Sequence, residues 1–403
     1  MKILLINKYY YIRGGAERYL FNIQRLLEKR GHTVAIFSMH HPQNEPSPFE
    51  SFFVPTIDFH EVGMLTTLKA GQRVIWYPRA AKQIQLLLDQ FQPDVAHLLN
   101  IYHQLSPSIL PPLKKRNIPT FQTLNDYKLI CPNYLLFTEN MPCTRCCSGQ
   151  YGQVIRHRCL NDSLAWSTLA AIEMSLHKIF KVYEKHVDRF IAPSLFMEQI
   201  TTSFGISSEQ ILHLPYFLFP EDYVITGESD NYLAYVGRLS REKGLPTLIH
   251  AMALVPEAKL KIIGDGPLRS ELENLAKHLK LTNVDFEGYL SGIQLQQAVA
   301  GARFTVVPSE WYEVFGLTVI ETFSLGKPVI AAEIGGLAEL ISKGVDGHLF
   351  KPGSISELAA VICDFWHHPD RLHSMGMNGR HKVETMYSPD KHYKQLMNLY
   401  HAS

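Results

Sequence analysis

The chain of 403 residues has little net charge, only four tryptophans and no long hydrophobic run. A formal charge of +1 gives no global field to draw nucleic acid, so a nucleic-acid partner is not expected. No apolar stretch approaches the ~20 residues that a spanning helix needs. The apolar stretch at the N-terminus, Ile3 to Ile6, is too short for the core of a signal peptide. The chain is therefore expected to begin at Met1 and to stay in the cytoplasm. With 46% apolar and 19% charged residues, the composition excludes a disordered tail protein and a membrane bundle. The length fits two domains of roughly 200 residues better than one core.

Charge and cysteine are unevenly spread. Residues 1–215 hold 22 Lys and Arg against 16 Asp and Glu, and the remainder holds 17 against 22. A basic first half suits an anionic partner such as a phospholipid surface or a phosphorylated acceptor; scattered, solvated surface charge would give the same tally. Five of the six cysteines fall between Cys131 and Cys159. Cys143-x2-Cys146 has zinc-knuckle spacing, and Cys131 and Cys159 could complete a tetrahedral structural site. Cys147 and His157 are competing ligands, and unligated thiols or disulfides are the alternatives.

Hydrophobic periodicity orders the chain. Lys2–Ile6, a glycine-containing loop, a helix over Ala16–Arg30 and a strand over Thr33–Phe37 open a parallel α/β sheet. A helix near Ala80–Phe91, a strand at Asp94–Leu99, a helix near Leu105–Arg116 and strands at Pro119–Thr123 and Val187–Ala192 continue it. A polar loop, Glu221 to Asn231, precedes a second series. It has strands at Tyr232–Val236, Lys259–Ile263, Val284–Phe286, Phe304–Val307 and Pro328–Ala331, with helices between them. The fold class is α/β, with two doubly wound Rossmann-like domains and a ligand cleft between them. The expected domains are 1–193, with an insert at about 131–159, and 194–388. A last helix in 389–403 is expected to cross back to the first domain.

Four segments sit where such sheets bind ligands. Gly14-Gly15 lies where a strand-end loop enters a helix, so backbone N–H groups there can approach an anion. Gly237-Arg238 to Lys243-Gly244 follows the first strand of the second series, and its cations suit phosphate oxygens. Glu313-Val314-Phe315-Gly316-Leu317 enters a helix that carries Glu321. Amides near Phe315 and Gly316 can hold an anion while the two carboxylates accept hydroxyl hydrogen bonds. Gly264-Asp265-Gly266-Pro267 reads as a turn that could line a base pocket.

Taken together and in order, these segments resemble the retaining glycosyltransferases of family 4, which have the GT-B fold. The resemblance covers nearly the whole chain and includes Glu-x7-Glu from Glu313 to Glu321, Gly326-Lys327-Pro328-Val329 and Gly335-Gly336. It implies a nucleotide-sugar donor bound mainly by the second domain and a saccharide or lipid-linked acceptor at the first. Arg238 and Lys243 would hold the diphosphate and Gly15 would add backbone donors. Glu313 would hold donor-sugar hydroxyls, Glu321 the ribose, and the amides at Phe315 and Gly316 the sugar or phosphate. It further implies that cations and a helix dipole replace a catalytic metal, so no catalytic cofactor is expected. A role in surface polysaccharide or glycolipid synthesis would follow. One departure stands out: relatives commonly carry His-Asp where this chain has Asn125-Asp126. Asn125 can hydrogen-bond a sugar but cannot titrate, and Asp126 could accept the acceptor hydroxyl or cap a helix. A nucleotide-sugar epimerase and a non-catalytic nucleotide-sugar-binding protein are the alternatives. Peripheral membrane contact, at the inner face, is expected through Lys69–Arg79, which mixes Trp76 and Tyr77 with Lys69, Arg73 and Arg79, and through Lys114-Lys115-Arg116.

Overall fold

The computed structural model describes residues 1–56, 71, 73–225 and 230–402. Contacts divide them into two units. One comprises Met1–Leu135, Thr144–Pro215 and His392–Ser403, the other Leu136–Cys143 and Tyr216–Lys391. The first unit runs past the expected boundary at 193, and the reason is a strand that hydrophobic patterning did not reveal. Ile211–His213 pairs in parallel with Arg189–Ala192 and closes the first sheet at one edge. With only three residues it is too short to show a period.

The first unit holds six parallel strands: β1 (Lys2–Ile6), β2 (Thr33–Phe37), β3 (Val95–Leu98), β4 (Thr120–Thr123), β7 (Arg189–Ala192) and β8 (Ile211–His213). A two-stranded hairpin of β5 (Phe137–Thr138) and β6 (Met141–Pro142) lies in the cysteine insert and groups with the second unit. The order of the first sheet is β2-β1-β3-β4-β7-β8. Every residue of β3 and β4 is buried, as a strand covered on both faces requires. The helix Gly15–Lys29 buries Tyr19, Leu20, Ile23, Leu26 and Leu27, one face at helical spacing. The helix Pro389–His401 ends in this unit. There Tyr400 hydrogen-bonds His97 Nδ1 at 2.7 Å, with Thr123 Oγ1 2.6 Å from Nε2.

The second unit repeats the plan with β9 (Leu233–Val236), β10 (Leu260–Ile263), β11 (Val284–Gly288), β12 (Thr305–Val307), β13 (Val329–Ala332) and β14 (Gly347–Phe350). Their order is β11-β10-β9-β12-β13-β14, and all the pairs are parallel. β14 and the helix Leu372–Met386 were not anticipated. The helix carries Gly376 and Gly379, which weaken its propensity signal. Both are required by packing, since a Cβ at Gly376 would stand 1.9 Å from the Gly326 carbonyl oxygen. Both sheets are doubly wound. The strand order reverses between β1 and β3 in one unit and between β9 and β12 in the other, and such switch points leave a crevice at the carboxyl ends of the strands.

Candidate active site

In the second unit the loops after β9 and β12 meet at that switch point. Lys243 Nζ donates to Glu313 Oε1 at 2.7 Å and lies 4.9 Å from the centre of the Trp311 ring. Ser309 Oγ donates to the same carboxylate oxygen at 2.6 Å. Burial alone would raise the Glu313 carboxyl. The charge and hydrogen bond of Lys243, with those of Ser309 and Trp311, outweigh it and hold the group below its ordinary value. Arg238, in the same loop as Lys243, is exposed and forms no ion pair among the described residues. Its guanidinium is therefore available to an anion, whereas Lys243 is already engaged.

Glycine backbone fixes these loops. Gly264 has φ +145, and a Cβ there would stand 1.9 Å from the Gly237 carbonyl oxygen. A Cβ at Gly266 would come 2.5 Å from the Leu239 carbonyl oxygen, and Leu239 N–H donates to the Asp265 carbonyl at 3.0 Å. Gly264-Asp265-Gly266-Pro267 thus braces the Arg238 loop by direct backbone contact. Gly335-Gly336 does the same for the other loop: Gly336 N–H donates to the Glu313 carbonyl at 2.7 Å. Gly316, at φ +116, leads into the helix Leu317–Ser324, and no side chain caps that end. Its first amides are open to a ligand. Phe315 is buried against Tyr216 and Tyr387, so its contribution to any ligand is through the backbone. Glu321 sits part-buried on that helix.

In the first unit, the carboxyl ends of β1, β3 and β4 carry a polar cluster of which sequence reasoning found only Asn125 and Asp126. Asn125 Nδ2 donates to the Thr123 carbonyl at 3.2 Å, and Asp126 Oδ1 accepts the Lys128 N–H at 2.9 Å. Asp126 thus closes a local turn, and burial raises its carboxyl. Beside it, Lys128 Nζ donates to Glu173 Oε2 at 2.7 Å, with both side chains almost fully buried. His103 Nε2 lies 3.3 Å from the same oxygen, and His103 has a φ of +63. Burial opposes ionisation of Glu173, but Lys128 and then His103 overcome it and hold the carboxyl at about 2. Lys8, just after β1, is pulled below its ordinary value by burial despite Asp126 and Glu17 nearby. No motif marked Lys8, His103, Lys128 or Glu173. Their only signal was position, since Lys8, His103 and Lys128 lie in the loops that follow predicted strands. At Gly14-Gly15 the backbone is exposed, and Gly14 precedes the helix without a side-chain cap.

Comparison with known proteins now bears on the chain. Residues 13–216 match the family described as Glycosyltransferase Family 4, and residues 224–382 match Glycosyl transferases group 1. The chain belongs to glycosyltransferase family 4. The chain is 36% identical over 162 residues to the sulfoquinovosyl transferase SQD2 of Arabidopsis thaliana, covering 39% of this chain and 31% of that protein. Sucrose-phosphate synthase of Thermosynechococcus elongatus superimposes with a TM-score of 0.73 at 20% identity, covering 100% of this chain and 98% of the other. HepE of Anabaena, solved with UDP and glucose, superimposes with a TM-score of 0.67 at 20% identity, covering 100% of both chains. These likenesses establish the GT-B fold.

The structure bears on two further expectations for this family 4 chain. No three of Cys131, Cys143, Cys146 and Cys159 bring their sulfurs within 4.8 Å of one another, and none of the six cysteines forms a disulfide. The residues therefore do not fit a structural zinc ion. Cys131 Sγ donates to Asn133 Oδ1 at 2.9 Å, while Cys146 packs with Tyr151, Val154, Ala171 and Met174, and Cys159 against that cluster. There cysteine acts as a small apolar side chain. The expected membrane segment also differs. Leu68 and Lys69 lie outside the described residues. Arg73 is buried, with its guanidinium donating to the Gln104 and Pro55 carbonyls. Lys114 pairs with Asp188 and Arg116 with Asp89. Arg73 is thus spent inside the unit, whereas Trp76, Arg79 and Lys115 are exposed. Of the other polar loop, Glu221 to Asn231, residues 226–229 lie outside the described residues.

Proposed function

We propose that this protein transfers a sugar from a nucleotide-sugar donor to a saccharide or lipid-linked acceptor, with retention of anomeric configuration. The observation that carries the reading is the switch point of the second sheet. It gathers an exposed Arg238, the Lys243–Glu313 pair and an uncapped helix N-terminus within two loops held by glycine contacts. Breaking the anomeric C–O bond leaves added negative charge on the nucleotide diphosphate. Arg238 and Lys243 meet that charge more strongly than they meet the intact donor, which is the condition for rate acceleration. The amides at Phe315 and Gly316 supply further fixed dipoles, and Gly14-Gly15 would add backbone donors.

Glu313 is held ionised by Lys243, so it accepts hydrogen bonds from donor-sugar hydroxyls, and Glu321 takes those of the ribose. In this reading no metal is required, because the two cations and the helix terminus take the charge. Asn125 orients a sugar hydroxyl, and Asp126 receives the hydrogen bond of the acceptor hydroxyl. The presence of UDP in the HepE structure supports a nucleotide-sugar donor, and surface polysaccharide or glycolipid synthesis is the setting we propose. The test is the double variant Arg238→Ala with Lys243→Ala. It should lose release of nucleoside diphosphate by at least a hundredfold while keeping its circular dichroism and melting profile. Near-normal turnover would overturn the mechanism, and an inverted product anomer, read by NMR, would overturn retention.

A further inference from the structure

The helix Leu164–Ile179 is apolar on its outer side as well as its inner one, where Ala170, Ala171 and Met174 are buried. Its one acidic residue, Glu173, and its one histidine, His177, face inward and are buried with Ser167. Leu164, Ile172 and Ile179 face outward with 54%, 47% and 72% exposure, and Phe180, at the end of the helix, is 61% exposed. A solvated helix has the reverse arrangement, with polar residues outside. The inward side is explained by the Lys128–Glu173–His103 cluster. Among the described residues the outward side has no partner that accounts for it. The next turn supplies positive charge: Lys181 and Lys185 are exposed one helical turn apart, and Lys178 is half-buried beside them. Among the described residues Glu184 pairs with Lys178, 3.6 Å from its Nζ, and Lys181 and Lys185 have no ion pair. From Ser163 to Tyr183 no exposed acidic residue interrupts the surface.

We propose that this face, Leu164 to Lys185, is where the protein lies on an anionic lipid bilayer. The apolar side chains would enter the boundary between head groups and acyl chains, and Lys181 and Lys185 would sit at the head groups. No helix among the described residues is long and apolar enough to cross a membrane, so the contact is peripheral. Charge decides the occupant. A second copy would set these lysines against the same lysines across a two-fold axis, whereas an anionic surface matches the cations and the apolar stripe together. The inference does not rest on the donor reading, since docking needs no turnover.

The test is co-sedimentation of the full chain with vesicles of phosphatidylcholine alone and of phosphatidylcholine with phosphatidylglycerol. Binding should require phosphatidylglycerol and weaken as salt is raised. Lys181→Gln with Lys185→Gln should lower affinity about thirtyfold, which corresponds to ~1 kcal/mol for each cation near an anionic surface. Ile179→Glu with Phe180→Glu should abolish binding while leaving the melting profile and nucleotide-sugar binding unchanged. Equal binding by the variants would overturn the assignment, as would no binding by the parent chain. A parent dimer that Ile179→Glu with Phe180→Glu dissociates would also overturn it, in favour of a second copy.

Discussion

Removing the ammonium group of Lys243 while keeping most of its stem, as in Lys243→Met, tests the electrostatics of the site directly. Breaking a fully buried ion pair from one side costs about 3–5 kcal/mol, because the remaining charge is left without a partner. Lys243 and Glu313 keep 23% and 12% side-chain exposure, so water screens part of that loss and about 2 kcal/mol is expected at pH 7.5. The pH dependence is the sharper signature. In the parent chain the Glu313 carboxyl is held below its ordinary value, so its contribution is present above the unfolded value of 4.5 and fades only as pH falls through the folded value. Without Lys243, burial is opposed only by Ser309 and Trp311, so the carboxyl should rise and the variant should relieve itself by taking up a proton. The gap between parent and variant should therefore shrink to less than half between pH 7.5 and pH 4.5. Glu313→Gln in the Lys243→Met background should recover most of the loss. Urea denaturation is the suitable assay, because it adds no salt to screen the pair. A gap that is equal at both pH values, or a double variant whose loss is the sum of the two single losses, would refute the reasoning.

Gly264→Ala should destabilise the second unit by about 2–3 kcal/mol, because φ +145 is reserved for glycine and the new Cβ must displace the Gly237 carbonyl. Since that carbonyl precedes Arg238, nucleoside diphosphate release should fall with it, and unchanged turnover would separate the brace from the site. His97 and His392 are both buried and held at about 3, so the folded first unit keeps them neutral while the unfolded chain protonates them near 6.5. Stability of that unit should be complete above about pH 6.5 and fall toward pH 3 with a slope approaching two protons, up to ~2.7 kcal/mol per pH unit from these two groups. A flat acid titration over that range would show that the two imidazoles are not buried neutral.

The strands that carry the second site were legible because each is apolar and flanked by glycine or proline. Leu233–Val236 and Leu260–Ile263 fell within the expected runs, and Val329–Ala332 overlaps the expected Pro328–Ala331 but ends one residue later. The loops after them could be named as ligand-binding from their cations, carboxylates and place at strand ends. The pairing of Lys243 with Glu313, 70 positions apart, could not be named, and neither could the role of Gly264, whose reason lies in the carbonyl of Gly237. Ser309 and Trp311 lie four and two positions before Glu313, yet nothing in their spacing distinguished them from ordinary loop residues. The cysteines misled for the opposite reason. Cys-x2-Cys is a local signal for metal, but whether four sulfurs converge depends on distances that spacing does not set.

Sequence by itself determined the α/β class, the two doubly wound units, the family and which strand-end loops are candidates to bind a ligand, because periodicity and strand-end motifs are encoded within about a dozen neighbouring residues. Tertiary structure alone decided which charges neutralise one another, that Glu173 faces inward while Ile172 beside it faces outward, and that Arg73 is spent on carbonyl oxygens. Those outcomes depend on burial and on partners tens to hundreds of residues away. The energy of a charge or a methyl group is set by what surrounds it in space, and a linear pattern carries no record of that.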